Sequence, residues 1–337
     1  MYFEELSATM ETLLQDGKGF LAADESNGTI GKRFDAIQVE NTETNRRDYR
    51  LLLATTEGLS QYINGVILFE ETFEQCDEHN NSIPHLFAKQ GIVPGIKVDK
   101  GLVTLANTDG EKITQGLDGL QERLEKFKKM GARFAKWRNV YSISETTPSL
   151  TSIKAGAEVL ARYAACCQSV GIVPIIEPEI LIDGNHSIDE AADACEAVFH
   201  VLFNALFEHQ VALEFTILKP SMITCGASAS PFSSPEEIAS YTVNVFRNMV
   251  PASVPSINFL SGGQTSKEAT ANLNAINSVG EQPWVLSFSY GRALQADCIQ
   301  TWGGKSENVA AAQKVLLKRA SLNSAACAGE YQSNMEK

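Results

Sequence analysis

The stretch Ala212-Leu213-Glu214-Phe215-Thr216-Ile217-Leu218-Lys219-Pro220 reads as a buried strand that ends on a lysine. Lysine is almost never fully buried without a partner or a task. Two readings are open at this point. The charged head can snorkel to solvent and leave its apolar stem behind. Alternatively, the amine sits at the mouth of an apolar pocket, where desolvation and a neighbouring cation lower its pKa until it attacks a carbonyl. Which reading holds depends on where the other strands end.

The same pattern recurs along the chain. Phe20-Leu21-Ala22-Ala23 ends at Asp24, Gly65-Val66-Ile67-Leu68-Phe69 at Glu70, and Ile92-Val93-Pro94-Gly95-Ile96 at Lys97 and Asp99. Ala132-Arg133-Phe134-Ala135 runs into Lys136 and Arg138, and Ile172-Val173-Pro174-Ile175-Ile176 into Glu177 and Glu179. Past the lysine stretch, Ser256-Ile257-Asn258-Phe259-Leu260 ends at Ser261 and Trp284-Val285-Leu286-Ser287-Phe288 at Ser289. Between them the apolar spacing predicts helices over 2–16, 46–60, 71–90, 115–130, 152–170, 187–209, 234–249, 266–277, 292–302 and 305–328. Eight short runs alternating with helices point to a parallel sheet with helical crossovers.

Eight strands suggest closure. The expected fold is α/β, a (β/α)8 TIM barrel forming a single domain over 1–337, with an extra N-terminal helix and extra C-terminal helices. A doubly wound open sheet is the alternative, but its Gly-x-Gly-x-x-Gly fingerprint is absent. No linker-like stretch divides the chain.

Composition narrows the function classes. Of the 337 residues 44% are apolar and 20% charged, which suits a globular enzyme with ample core. A net charge of −13 argues against nucleic acid or an acidic membrane as partner, since either needs a basic face. An anionic substrate then requires a locally basic pocket. The cysteines number seven, an odd count without a Cys-x-x-Cys pair, which implies a reducing compartment. Acidic Glu4 and Glu5 stand where a signal peptide is basic, and no apolar run reaches membrane-spanning length. The chain reads as soluble and intracellular: cytoplasmic, or chloroplast stroma if a transit peptide has been removed.

In a barrel of this kind, catalytic groups gather at the carboxyl ends of the strands. The period of two puts Lys97 with Asp99, Lys136 with Arg138, and Glu177 with Glu179 on common faces. Any one pair fits a solvated strand end. Eight ends on one rim bring amines, carboxylates and hydroxyls together. Ser261-Gly262-Gly263 and Ser289-Tyr290-Gly291-Arg292 each set a hydroxyl and a small residue before a helix, where this fold usually binds phosphate. Ser26, Thr29, Lys32 and Arg33, with Lys97 or Arg138, offer a second anion site, so a small bisphosphate is the natural ligand size. The five histidines show no metal-ligand spacing, and His186 reads as a surface loop residue. No metal is expected.

Seven of these segments, read together, resemble class I fructose-1,6-bisphosphate aldolase. They are Gly19-Phe20-Leu21-Ala22-Ala23-Asp24-Glu25-Ser26, Gly95 to Gly101, Phe134 to Arg138, Glu177-Pro178-Glu179, Leu218-Lys219-Pro220, Leu260 to Gln264 and Ser289 to Leu294. They run in family order from about residue 10 to 330. The resemblance implies a metal-independent lyase, usually a homotetramer. Such an enzyme cleaves fructose 1,6-bisphosphate reversibly to dihydroxyacetone phosphate and glyceraldehyde 3-phosphate, in glycolysis, gluconeogenesis or the Calvin cycle. It implies a covalent Schiff base on Lys219 and no separate cofactor. It assigns Glu177 as acid and base, Asp24 to the C4 hydroxyl, Lys136 to lowering the Lys219 pKa, and Glu179 as supporting carboxylate. Ser261, Gly262, Gly291 and Arg292 fall to the 1-phosphate, and Ser26, Thr29, Lys97 and Arg138 to the 6-phosphate; Ser289 stays a phosphate-binding candidate from its strand end.

One departure bears on mechanism. Vertebrate and plant relatives end on a mobile tail whose tyrosine protonates the enamine, whereas this sequence closes on Met335-Glu336-Lys337 with Tyr331 its only late tyrosine. Water, Glu177 or Asp24 is the expected proton source instead. Two rival functions stand beside the aldolase: another Schiff-base barrel enzyme such as a transaldolase, which needs one phosphate site, and a non-catalytic cytoskeletal scaffold, which has no use for a desolvated lysine.

Overall fold

The computed structural model describes residues 2–337. The chain opens with helix α1 (Phe3–Leu13), strand β1 (Gly19–Ala23), α2 (Asn27–Asp35), α3 (Glu43–Ala54) and β2 (Ile63–Leu68). Then come α4 (Glu70–Glu74), α5 (Ile83–Lys89), β3 (Val93–Lys97), a hairpin of β4 (Leu102–Thr104) and β5 (Lys112–Thr114), and α6 (Leu120–Lys129). β6 (Phe134–Tyr141), α7 (Leu150–Ser169), β7 (Val173–Ile180), α8 (Ile188–Glu208), β8 (Ile217–Leu218) and α9 (Pro235–Met249) follow. β9 (Ser256–Phe259), α10 (Ser266–Asn277), β10 (Val285–Tyr290), α11 (Arg292–Trp302) and α12 (Val309–Cys327) complete it. Eight parallel strands close in the order β1-β10-β9-β8-β7-β6-β3-β2, the (β/α)8 barrel that the alternation predicts.

The period of two along each strand divides the core into two layers. Leu21, Ala23, Val66, Leu68, Ile96, Trp137, Ile176 and Leu218 face outward into the layer shared with the helices. Phe20, Ala22, Ile67, Phe134, Val173, Ile175 and Ile217 face inward and pack with Leu6, Met10 and Leu13 of α1, which plugs the amino-terminal end of the barrel. Phe20 and Phe134 meet edge to face at 5.3 Å between ring centres. Gly95 makes room for Phe134, because a Cβ there would stand 2.1 Å from its ring.

That alternation leads directly to the rim. Two residues beyond inward Ala22 is Asp24, beyond Phe134 is Lys136, beyond Ile175 is Glu177, and beyond Ile217 is Lys219. One face of each of these four strands is therefore apolar at the plugged end and charged at the open end.

The structure corrects several expectations. Within Ala212–Pro220 only Ile217–Leu218 is strand, and Leu213–Phe215 is a 3-10 turn. The side chain of Gln168 binds the Ala212 amide and the Ala212 and Phe215 carbonyls, so this backbone is satisfied without a sheet partner. α2 was not expected, its apolar signal being broken by Gly28 and Gly31; Ser26 caps it by accepting the Thr29 amide at 3.4 Å. The region 71–90 holds two short helices instead of one, and the exposed β4–β5 hairpin lies outside the barrel. Glu70 begins α4 and pairs with Lys100 at 2.6 Å, away from the strand-end cluster. Among the described residues, no helix is long and apolar enough to cross a membrane.

Candidate active site

Lys219 follows β8 directly and is anchored by its own amide, which donates to the Ile176 carbonyl on β7 at 2.8 Å. Its amine lies 3.0 Å from Glu177 Oε1. Glu177 Oε2 takes the Lys136 amine at 2.9 Å, and the same amine reaches Asp24 Oδ2 at 2.7 Å. Four strands thus deliver a continuous chain, Asp24 to Lys136 to Glu177 to Lys219, with the three latter side chains 4–5% exposed and Asp24 12%.

The charges support one another. Burial by itself would raise the Asp24 and Glu177 pKa values, but Lys136 and Lys219 outweigh it and hold both carboxyls below the usual range. Burial would likewise discharge Lys136, yet Asp24 and Glu177, with Asp99 beyond, outweigh it and raise its pKa. Lys136 is locked as a cation.

The surrounding groups close a cavity of about 580 Å³. Every residue singled out from the sequence as catalytic or phosphate-binding lines it. Glu179 pairs with Arg138 across β7 and β6, and Lys97 pairs with Asp99 at 2.7 Å. At one side, Arg292 Nη2 donates to the Gly262 carbonyl at 2.9 Å, which brings the loops after β9 and β10 together at the start of α11. Gly262 adopts φ +51°, a left-handed conformation that favours glycine. Ser289 Oγ is buried beside them without a hydrogen-bond partner, an orphan that a bound anion would satisfy. The Ser26 and Thr29 hydroxyls stand 3.2 Å apart at the amino end of α2 and line the same pocket, as does Lys97. The two clusters therefore line one pocket together with the lysine–carboxylate chain.

The cavity also contains residues the site reading passed over. Glu25 and Leu102 line it, and Glu25 draws in Arg33, which the sequence offered for the second anion site. Glu25 sat unremarked beside Asp24, and the missed α2 hid the face that carries Arg33. His186 is neither in the pocket nor at the surface: it is 6% exposed, and its carbonyl accepts the Gly226 amide under the loop after β8. Tyr331 lies off the mouth, its hydroxyl donating to Glu336 at 2.9 Å. Among the described residues, no group of three or more His, Cys, Asp or Glu could hold a metal.

Comparison with known proteins decides the family. A family profile described as fructose-bisphosphate aldolase class-I matches residues 5–337. The chain belongs to that family. Fructose-bisphosphate aldolase 2 of Caenorhabditis elegans is 55% identical, across 97% of this chain and 90% of the relative. Fructose-bisphosphate aldolase 4, cytosolic, of Arabidopsis thaliana is 52% identical, across 98% and 85%. Fructose-bisphosphate aldolase from Plasmodium falciparum, solved in complex with TRAP and a small molecule inhibitor, superposes with a TM-score of 0.97 at 51% identity, across 98% of this chain and 96% of that one. The enzyme is thus a lyase of glycolysis that cleaves fructose 1,6-bisphosphate to two triose phosphates, within a metal-independent class. The transaldolase-like and scaffold alternatives give way to it.

Proposed function

We propose that this aldolase works through a Schiff base on Lys219, and that the lysine–carboxylate chain supplies its proton transfers. The observation that carries the reading is the 3.0 Å contact between the Lys219 amine and Glu177. Glu177 takes a proton from the ammonium, and the freed amine attacks the C2 carbonyl of the ketose. The protonated Glu177 returns that proton to the C2 hydroxyl of the carbinolamine, which leaves as water as the C=N bond forms. Asp24, ionised by its contact with Lys136, takes the C4 hydroxyl proton. The C3–C4 bond then breaks, its electrons pass through C2 into the iminium, and the aldehyde departs from an enamine. Protonation of C3 and hydrolysis release dihydroxyacetone phosphate and Lys219.

Lys136 keeps both carboxylates charged between turnovers, and Glu179 holds Arg138 in the wall. Ser261, Gly262, Ser289, Gly291 and Arg292 take the 1-phosphate; Ser26, Thr29, Lys97 and Arg138 take the 6-phosphate. Two phosphate positions on either side of one amine fix which carbon it meets. The same reading takes the protein as a cytoplasmic homotetramer, on the family resemblance and the likeness to the isozyme named cytosolic; light scattering and cell fractionation test these.

Oxygen exchange tests the chemistry. An imine requires loss of the C2 oxygen, so dihydroxyacetone phosphate labelled with oxygen-18 at C2 should lose its label to water faster with the enzyme than through its own hydration, and no faster than that background with Lys219→Ala. Turnover of the wild type with label loss no faster than that background contradicts the reading.

A further inference from the structure

The loop after β1 carries a second carboxylate that these steps leave unused. Glu25 is 7% exposed, and its two oxygens each take a guanidinium: Arg33 of α2 on Oε1, and Arg50 of α3 on Oε2 at 2.7 Å. Oε1 also accepts Gln295 Nε2 of α11 at 3.0 Å. Gln295 is wholly buried, donates to the Ala22 carbonyl at the end of β1 at 2.8 Å, and accepts the Tyr49 hydroxyl at 3.0 Å. One carboxylate and one amide therefore tie together β1, α2, α3 and α11, the elements that present Asp24, Ser26 and Gly291 to the pocket.

Two cations on one anion leave a surplus charge, and the burial of the two arginines says where it goes. The Arg50 side chain is 4% exposed, whereas that of Arg33 is 22% exposed and lines the pocket. Arg33 Nη2 lies 3.8 Å from the place a Cβ on Gly291 would occupy, beside the proposed phosphate position at the head of α11. A structural ion pair has no need to leave its cation facing a cavity. A phosphate ligand does, and holding it still before substrate arrives removes an ordering cost from binding.

We propose that Glu25, braced by Gln295, is a positioning residue for substrate: it holds the Arg33 guanidinium aimed at a phosphate of the sugar bisphosphate without touching the reacting atoms. The proposal rests on the bisphosphate reading of the pocket. With Glu25 uncharged, Arg33 and Arg50 repel, and Arg33 leaves for solvent.

Steady-state kinetics with fructose 1,6-bisphosphate test it through Glu25→Gln, Arg33→Ala and the double variant. Glu25→Gln keeps shape and the bond to Gln295, and should raise KM about tenfold with kcat held within about twofold, the signature of lost binding shared by ground and transition states. In the Arg33→Ala background it should raise KM no further, because its effect passes through Arg33. Gln295→Met serves as a second route should Glu25→Gln fold poorly: it should raise KM about threefold, again only when Arg33 is present. A folded Glu25→Gln with unchanged KM, a fall in kcat alone, or independent effects of Glu25→Gln and Arg33→Ala overturns the proposal. The underlying reading fails separately: wild-type KM in both Arg33→Ala and Arg292→Ala would refute a phosphate pocket, whereas a raised KM in those two with none in Glu25→Gln refutes only the positioning role.

Discussion

Lys219 Nζ stands 3.0 Å from Glu177 Oε1 while the other oxygen of that carboxylate is held 2.9 Å from Lys136. Glu177 is thereby kept ionised and ready to accept before it donates. Replacing it with glutamine keeps the shape and removes the proton transfer. Glu177→Gln should lower kcat by about 10²–10⁴-fold, the usual worth of a positioned acid and base, with KM little changed. Steady-state assays at saturating bisphosphate check this.

Acid also acts on this same chain, through Asp24. Asp24 has a folded pKa below its ordinary 3.8, so its ionisation stabilises the fold above about pH 4, and that stability is lost as pH falls towards the folded value. Between pH 5 and pH 3, urea unfolding of the wild type should show a steeper loss of stability than Asp24→Asn, which has no such proton to take up. Equal slopes would place Asp24 outside the buried pair.

Arg292→Ala should weaken the fructose 1,6-bisphosphate complex by about 1.5–3 kcal/mol, the worth of a charge-assisted contact. A ketose without the 1-phosphate should lose less. Equal losses for both would reduce Arg292 to its structural bond with the Gly262 carbonyl, which is 2.9 Å long.

Tyr331 is tied to Glu336 by its hydroxyl and to Asn274 by its amide, off the pocket. Tyr331→Phe should therefore leave solvent tritium exchange into dihydroxyacetone phosphate within a factor of a few, roughly 1 kcal/mol in barrier. Loss of exchange with bond cleavage preserved would make Tyr331 the proton donor.

The barrel was legible because its signal is local and repeated. Each apolar run closes on a charged or hydroxyl side chain, and the period of two carries Phe134 to Lys136 and Ile217 to Lys219 without knowledge of neighbours. α2 was not legible, since Gly28 and Gly31 interrupt its pattern and its start depends on the Ser26 cap. Glu25 was harder still. Alternation places it off the face of Asp24, and only the packing of α2, α3 and α11 brings Arg33, Arg50 and Gln295 to it. His186 was misjudged for the same reason, its burial coming from the loop after β8.

The covalent role of Lys219 is the central claim, and Lys97 and Lys136 line the same pocket as its competitors. Lys136 is held as a cation by two carboxylates and Lys97 is paired with Asp99, whereas Lys219 faces the one carboxylate placed to take its proton. Borohydride reduction in the presence of dihydroxyacetone phosphate, followed by peptide mass mapping, distinguishes them, because only an imine is fixed by reduction. The account predicts a single adduct, on Lys219; an adduct on Lys97 or Lys136 with Lys219 unmodified would contradict it.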